Sequence, residues 1–139
     1  FVCDPVQYSL VHRQPAENGG ADLCLETGVA LLPYYPLASG LLTGKTRRGE
    51  PPKGRLQMDR YQEFLTEENF DLVDRLDVYA GERGLSMVQV ALGWLLAQDA
   101  VPAITAGATS PEQVVANAAA AEWAPTSEDL TELSSLLRG

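Results

Sequence analysis

Residues 28–45 read GVALLPYYPLASGLLTGK, and the order of residue types in this stretch decides the fold class. The run GVALL suits a short strand covered on both faces, as the strands of a parallel sheet are. Tyr34 and Tyr35 then give way to Pro36, Ser39 and Gly40, which turn the chain. Backbone amides exposed by such a turn, with the ammonium of Lys45, can cradle a phosphate or diphosphate. Loops of small residues that only reverse the chain are nevertheless the commoner case.

Outward from this stretch the signals alternate between strand and helix. Residues 6–11 (VQYSLV) predict a strand, and residues 21–27 predict a short helix closed by Gly28. The strand at 28–34 follows. Residues 43–61 are rich in Gly, Pro and charge and read as a long surface loop. Thr66 is placed to cap a helix running to about Glu82, with Phe70, Leu72, Val73, Leu76 and Tyr79 on one side. Gly84 ends it. Ser86 caps a second helix that is apolar over most of its circumference, from Val88 to Leu96, and is therefore expected to be buried. Residues 102–105 (PAIT) predict a third short strand, after which Ser110 and Pro111 open a helix through Ala121. A last helix, 126–137, begins with Thr126, Glu128 and Asp129, whose acids favour its positive end. Repeated strand–helix units imply right-handed crossovers and a parallel sheet, so the fold class is α/β.

Composition bounds the function. At 139 residues and 45% hydrophobic content the chain is one domain's worth of material. No stretch has the length and apolarity of a membrane span, and nothing has the form of a signal peptide, so the chain reads as cytoplasmic. Nineteen acidic against ten basic residues give a formal charge of −9, which disfavours nucleic acid and anionic membranes. Six of those cations, Lys45, Arg47, Arg48, Lys53, Arg55 and Arg60, fall within sixteen positions. They form either a solvated loop or an anion site. Cys3 and Cys24 lack metal or redox spacing and read as free buried thiols, and with one histidine no metal site is expected.

A second chemical segment lies at 104–117, ITAGATSPEQVVAN. Gly107 and Ala108 allow a ligand close to the backbone, while Thr109 and Ser110 set hydroxyls at a helix N-terminus, where free amides and the dipole attract anions. Gln113 and Asn117, four residues apart, share a helix face and carry amides suited to a purine edge. An ordinary capped helix with a polar stripe has the same pattern. Two strand-to-helix loops of this kind at one end of one sheet favour a shared ligand.

With these elements in view, the chain resembles the C-terminal part of an aldo-keto reductase, a (β/α)8 barrel that uses NADPH without a Rossmann domain. The similarity runs in family order through VQYSLVHR (6–13), GVALLPYYPLASGLLTGK (28–45), GLSMVQVALGWLLAQ (84–98) and the segment at 104–117. It implies a partial TIM barrel, with strands six, seven and eight at 2–11, 29–34 and 103–105. Residues 1–139 would then be the C-terminal portion of the barrel, carrying most of the cofactor loops. The resemblance assigns Tyr34 to the aromatic that stacks on the nicotinamide. Pro36, Leu37, Ala38, Ser39 and Gly40 match the turn around the pyrophosphate, Lys45 a lysine upon it, and Arg55 a basic phosphate contact. Gly107, Thr109, Gln113 and Asn117 match the adenosine end. His12 and Arg13 match a structural pair. The implied cofactor is NADP, with NAD possible, and the implied substrate of the parent protein a small carbonyl compound.

The departures from the family pattern are specific. Pro5 stands where the family usually has a glutamine that binds the nicotinamide carboxamide, and proline has neither that side chain nor an N–H. Tyr35 replaces the usual serine before the proline, and Ala116 replaces a frequent glutamate. No Lys or Arg lies in 107–117. The family's Asp, Tyr, Lys and His, in which the tyrosine protonates the carbonyl oxygen as hydride adds to carbon, lie on earlier strands and have no counterpart here. The chain is therefore expected to be a fragment, without reductase activity of its own. Three parallel strands with two open edges and a first residue other than Met point the same way, and predict self-association or pairing with the missing barrel half. The alternative is a non-catalytic nucleotide-binding or assembly module, a stand-alone half-barrel.

Overall fold

Strand β2 (Ala30–Tyr34) forms where the apolar run predicts it, with Leu31 buried to 2% exposure. It pairs in parallel with β1 (Cys3–Gln7), in a register that sets Cys3 opposite Ala30 and Gln7 opposite Tyr34. The computed structural model describes residues 2–138. Between the strands run α1 (Gln14–Glu17) and α2 (Gly20–Thr27). Gly28 closes α2 at φ +68°, donating its N–H to the carbonyls of Cys24 and Leu25, a conformation open to glycine at no steric cost.

Three expectations are corrected. The strand expected at 6–11 lies nearer the N-terminus, at Cys3–Gln7, because Ser9 and His12 exchange backbone hydrogen bonds of 3.0 and 3.1 Å and reverse the chain there. The third strand, at 102–105, does not form beyond a single parallel bridge between Tyr34 and Thr105. Pro102 has no N–H to give, and contact with β2 reduces to Leu31 N–H to the Ala100 carbonyl at 2.7 Å and Thr105 N–H to the Pro33 carbonyl at 2.9 Å. The described sheet thus has two strands. The segment 43–61 is not simply a surface loop: it leaves a 3-10 turn at Ala38–Thr43, winds through two more at Gly54–Gln57 and Asp59–Phe64, and buries Thr46, Leu56 and Tyr61. Thr46 survives burial because its hydroxyl accepts the Lys53 N–H at 3.3 Å.

The helices follow their caps. Thr66 accepts the Asn69 N–H at the start of α3 (Glu67–Glu82), and Ser86 forms a reciprocal box with Gln89 at the start of α4 (Met87–Leu96). Ser110 caps α5 (Pro111–Ala120), and Thr126 forms a second box with Asp129 on α6 (Ser127–Leu136). Helix α4 is the centre of the core, with Val90 to Leu95 all buried, and it packs against Leu41, Leu42, Leu76 and Tyr79. A different character marks the flanks. Val2, just ahead of β1, is 84% exposed, Leu23 on α2 60% and Val115 on α5 68%. Of the thiols, Cys24 is buried but Cys3 is exposed, correcting the expectation of two buried cysteines. No helix among the described residues is long and apolar enough to cross a membrane.

Candidate cofactor site

The end of β2 opens into a groove of about 630 Å³. Its floor begins at Tyr34, which is 39% exposed. The chain then takes a left-handed course that non-glycine residues rarely adopt, with φ +53° at Tyr35, +46° at Ala38 and +56° at Ser39, followed by Gly40 at +111°. The turn is held by its own backbone, Ala38 N–H to the Tyr35 carbonyl and Gly40 N–H to the Leu37 carbonyl, both at 2.9 Å. Ser39 ends with its hydroxyl oxygen buried and without a hydrogen-bond partner. A buried donor in that state is costly and calls for an acceptor.

The opposite wall comes from 105–117. Thr105, Ala106, Gly107, Thr109, Gln113, Ala116 and Asn117 all line the groove. The two walls meet at Gly107: a Cβ placed there would lie 3.6 Å from the Arg55 guanidinium. Gln113 does not hold both ends of its amide free, because its Oε1 accepts from the Thr109 N–H at 2.7 Å and from the Thr109 hydroxyl at 3.1 Å. That pairing fixes the loop ahead of α5 and leaves Asn117 as the amide of the pair with no internal bond among the described residues.

Charge at the groove is set by which cations find acids elsewhere. Arg47 pairs with Asp77 at 3.0 Å, and Arg48 is taken by Glu67, Asp71 and Asp74 along α3. Lys53 pairs with Glu50 at 3.0 Å, and Arg60 lies over the Tyr61 ring at 4.7 Å. Lys45 and Arg55 form no ion pair among the described residues, and both line the groove. The arginines so engaged have their pKa values raised further: Arg47 by its hydrogen bond to Asp77, Arg48 by its bond to Asp71.

Of the residues singled out from the sequence, the structure brings Tyr34, Pro36, Leu37, Ser39, Gly40, Lys45, Arg55, Gly107, Thr109, Gln113 and Asn117 to this one groove. Ala38 differs from them: its methyl is fully buried in the core, beneath the turn. Sequence reading did not find Met58 or Val88, which arrive from the 3-10 region and from α4. Nothing local marks them, since their place depends on how those elements pack. His12 lies away from the groove, at a polar cavity of about 530 Å³ with Arg13, Glu68 and Arg75. Pro5, in β1 opposite Leu32, is exposed. Among the described residues no group of three or more His, Cys, Asp or Glu side chains is placed to hold a metal ion.

Chemically the groove offers two cations without ion pairs among the described residues, a capped helix N-terminus and an exposed aromatic face. This donor set fits an extended anion of diphosphate size with a flat group at one end.

Comparison with known proteins agrees with the sequence resemblance at the level of family. The model of the aldo/keto reductase family matches residues 1–138. L-glyceraldehyde 3-phosphate reductase of Escherichia coli strain K12 is 36% identical over 116 residues, covering 79% of this chain and 34% of that protein. A probable voltage-gated potassium channel subunit beta of Oryza sativa subsp. japonica is 30% identical over 129 residues, 89% of this chain and 39% of that one. Among solved structures, the holo form of aldo-keto reductase AKR11C1 from Bacillus halodurans superposes with a TM-score of 0.73 at 29% identity, covering 98% of this chain and 42% of that chain. The chain thus spans between a third and about two fifths of the length of these relatives.

Proposed function

Because the chain belongs to the aldo/keto reductase family, we propose that it is the C-terminal, cofactor-binding part of an NAD(P)H-dependent oxidoreductase that reduces small carbonyl compounds. The observation that carries this reading is the sorting of charge: of six clustered cations, the two without ion pairs or aromatic contacts among the described residues, Lys45 and Arg55, stand on one groove with the N-terminus of α5. In this reading residues 1–139 are the last three βα units of a (β/α)8 barrel, and the outer edge of the two-stranded sheet at β1 is where the rest of it pairs.

Each residue then has a role. Tyr34 stacks on the nicotinamide. The turn at 36–40 wraps the diphosphate, and Lys45 and Arg55 neutralise the charge. Thr109 and Asn117 hold the adenosine end, with Gln113 acting through Thr109. When bound, the dinucleotide supplies a hydride, and these residues only hold and orient it. NADP is the proposed cofactor, with NAD possible; the hydroxyl of Thr109, on the wall that Arg55 approaches at Gly107, is the group placed nearest the ribose in this reading. The groups that would protonate the carbonyl are absent from the chain, so residues 1–139 alone bind without turnover and in the cytoplasm would work with the remaining barrel. A second reading, a nucleotide-binding assembly module without catalysis, draws on the similarity to the probable channel subunit.

Calorimetric titration with NADPH and NADH tests the reading. Lys45→Ala and Arg55→Ala should each weaken NADPH binding about tenfold, the equivalent of about 1.4 kcal/mol for a lost charge-assisted hydrogen bond. Absence of binding by the parent chain, or identical binding by the double variant, would refute it.

A further inference from the structure

Tyr35 is held in a manner that its position in the chain alone does not require. A bulky aromatic at φ +53° is strained, and a strained conformation persists only where its surroundings enforce it. Here the enforcing contacts are aromatic. The Tyr35 ring meets Tyr34 edge to face at 5.3 Å between centroids and 76° between planes, and meets Tyr61 in the same way at 5.8 Å and 83°. The two hydroxyls of Tyr35 and Tyr61 lie 3.4 Å apart. Tyr61 in turn is buried, with the Arg60 guanidinium over its ring.

This chain of rings joins the end of β2 to the 3-10 region that follows Arg55. Tyr34 is the exposed ring on the groove floor, and Tyr61 is anchored in the core on the far side. We propose that Tyr35 is a positioning residue that fixes the Tyr34 ring plane for a flat heteroaromatic ligand group and ties it at a set distance to the wall that carries Arg55. The proposal rests on the dinucleotide reading and goes beyond it, since it assigns a role to the one residue of the turn that departs from the usual serine. Titration directions agree with the geometry: the hydrogen bond between the two hydroxyls raises the Tyr35 pKa and lowers that of Tyr61.

The test compares two ligands on the full chain: the intact dinucleotide NADPH, and 2′-phospho-ADP-ribose, which lacks the nicotinamide. Tyr35→Gly accepts a positive φ without strain, so the turn is kept while both ring contacts go. Tyr35→Phe keeps the rings and removes only the hydroxyl. Tyr35→Gly should bind NADPH at least fivefold more weakly, about 1 kcal/mol, yet bind 2′-phospho-ADP-ribose within twofold of the parent. Tyr35→Phe should restore NADPH binding to within about twofold. Equal losses for both ligands, or no loss for NADPH, would overturn the proposal. If the parent chain binds neither ligand, the cofactor reading itself fails and this assignment falls with it.

Discussion

Gly93, in the middle of α4, is tied by geometry to Trp123. A Cβ built on Gly93 would lie 2.4 Å from Trp123 Cε3 and 2.7 Å from the Trp123 carbonyl oxygen. The indole can swing away, but the carbonyl belongs to the backbone leaving α5, so Gly93→Ala must shift residues 120–123. Overpacking of this kind costs about 1–3 kcal/mol. Against it stands the helix preference of alanine over glycine, about 0.8–1 kcal/mol. Because the closest fixed atom is a backbone oxygen at 2.7 Å, the upper part of that range applies, about 2–3 kcal/mol, so the clash wins with an expected net loss of about 1–2 kcal/mol, or about 3–8 °C in Tm for a chain of this size. Gly81 supplies the control. It sits exposed in the last turn of α3, where an added Cβ meets nothing within 4 Å, so Gly81→Ala should gain about 0.5 kcal/mol. Urea unfolding followed by circular dichroism, with the fluorescence of Trp94 and Trp123 as a second probe, measures both. A Gly93→Ala variant as stable as the parent, or stabilised like Gly81→Ala, would refute the packing argument. The same shift would move the α5 wall that carries Asn117 relative to Val88 on α4, so the groove should loosen along with the core.

Three other outcomes are expected. Asp129 is held at a pKa of about 2, below its usual 3.8, first by the Thr126 N–H, then by the Thr126 and Tyr79 hydroxyls; its contribution is complete above pH about 4 and is lost as pH falls towards 2. Acid unfolding of Asp129→Asn should therefore show a smaller loss of stability across that window than the parent, and an unchanged profile would count against the capping box. Leu76→Ala, at a fully buried position, should cost about 2–5 kcal/mol in urea unfolding, with a surface-like cost below about 0.5 kcal/mol contradicting its place in the core. Arg48→Ala should change the urea midpoint little although three carboxylates surround it, because the acids are more than half exposed, and any shift should shrink in about 0.5 M salt; a large, salt-insensitive loss would contradict this.

What the sequence disclosed was mostly local. Thr66, Ser86, Ser110 and Thr126 each accept an amide three residues on, and each could be read because a cap needs only one turn of helix around it. The strand at β2 and the turn after it were legible for the same reason. The third strand misled because apolar content at 102–105 outweighed a missing donor at Pro102 that only a partner strand makes costly. The burial of Leu56 and Tyr61 was hidden because their contacts lie with distant elements, as were the groove positions of Met58 and Val88. The division of labour among the cations was also invisible, because Arg48 finds its acids nineteen to twenty-six positions away. That the two loops face one groove could be read from the sequence only through their place at one end of one sheet, and the structure brings them together there.

The acidic face of α3 has a kinetic consequence. By absorbing Arg47 and Arg48 it leaves a chain of charge −9 whose uncompensated groove cations are Lys45 and Arg55. An approaching anion is repelled by the whole molecule at long range and attracted only within about one Debye length, about 8 Å at physiological ionic strength, of that groove. Salt then acts in opposite senses on the two halves of the encounter. It screens the distant repulsion and quickens arrival, while it weakens the final contacts and shortens the stay.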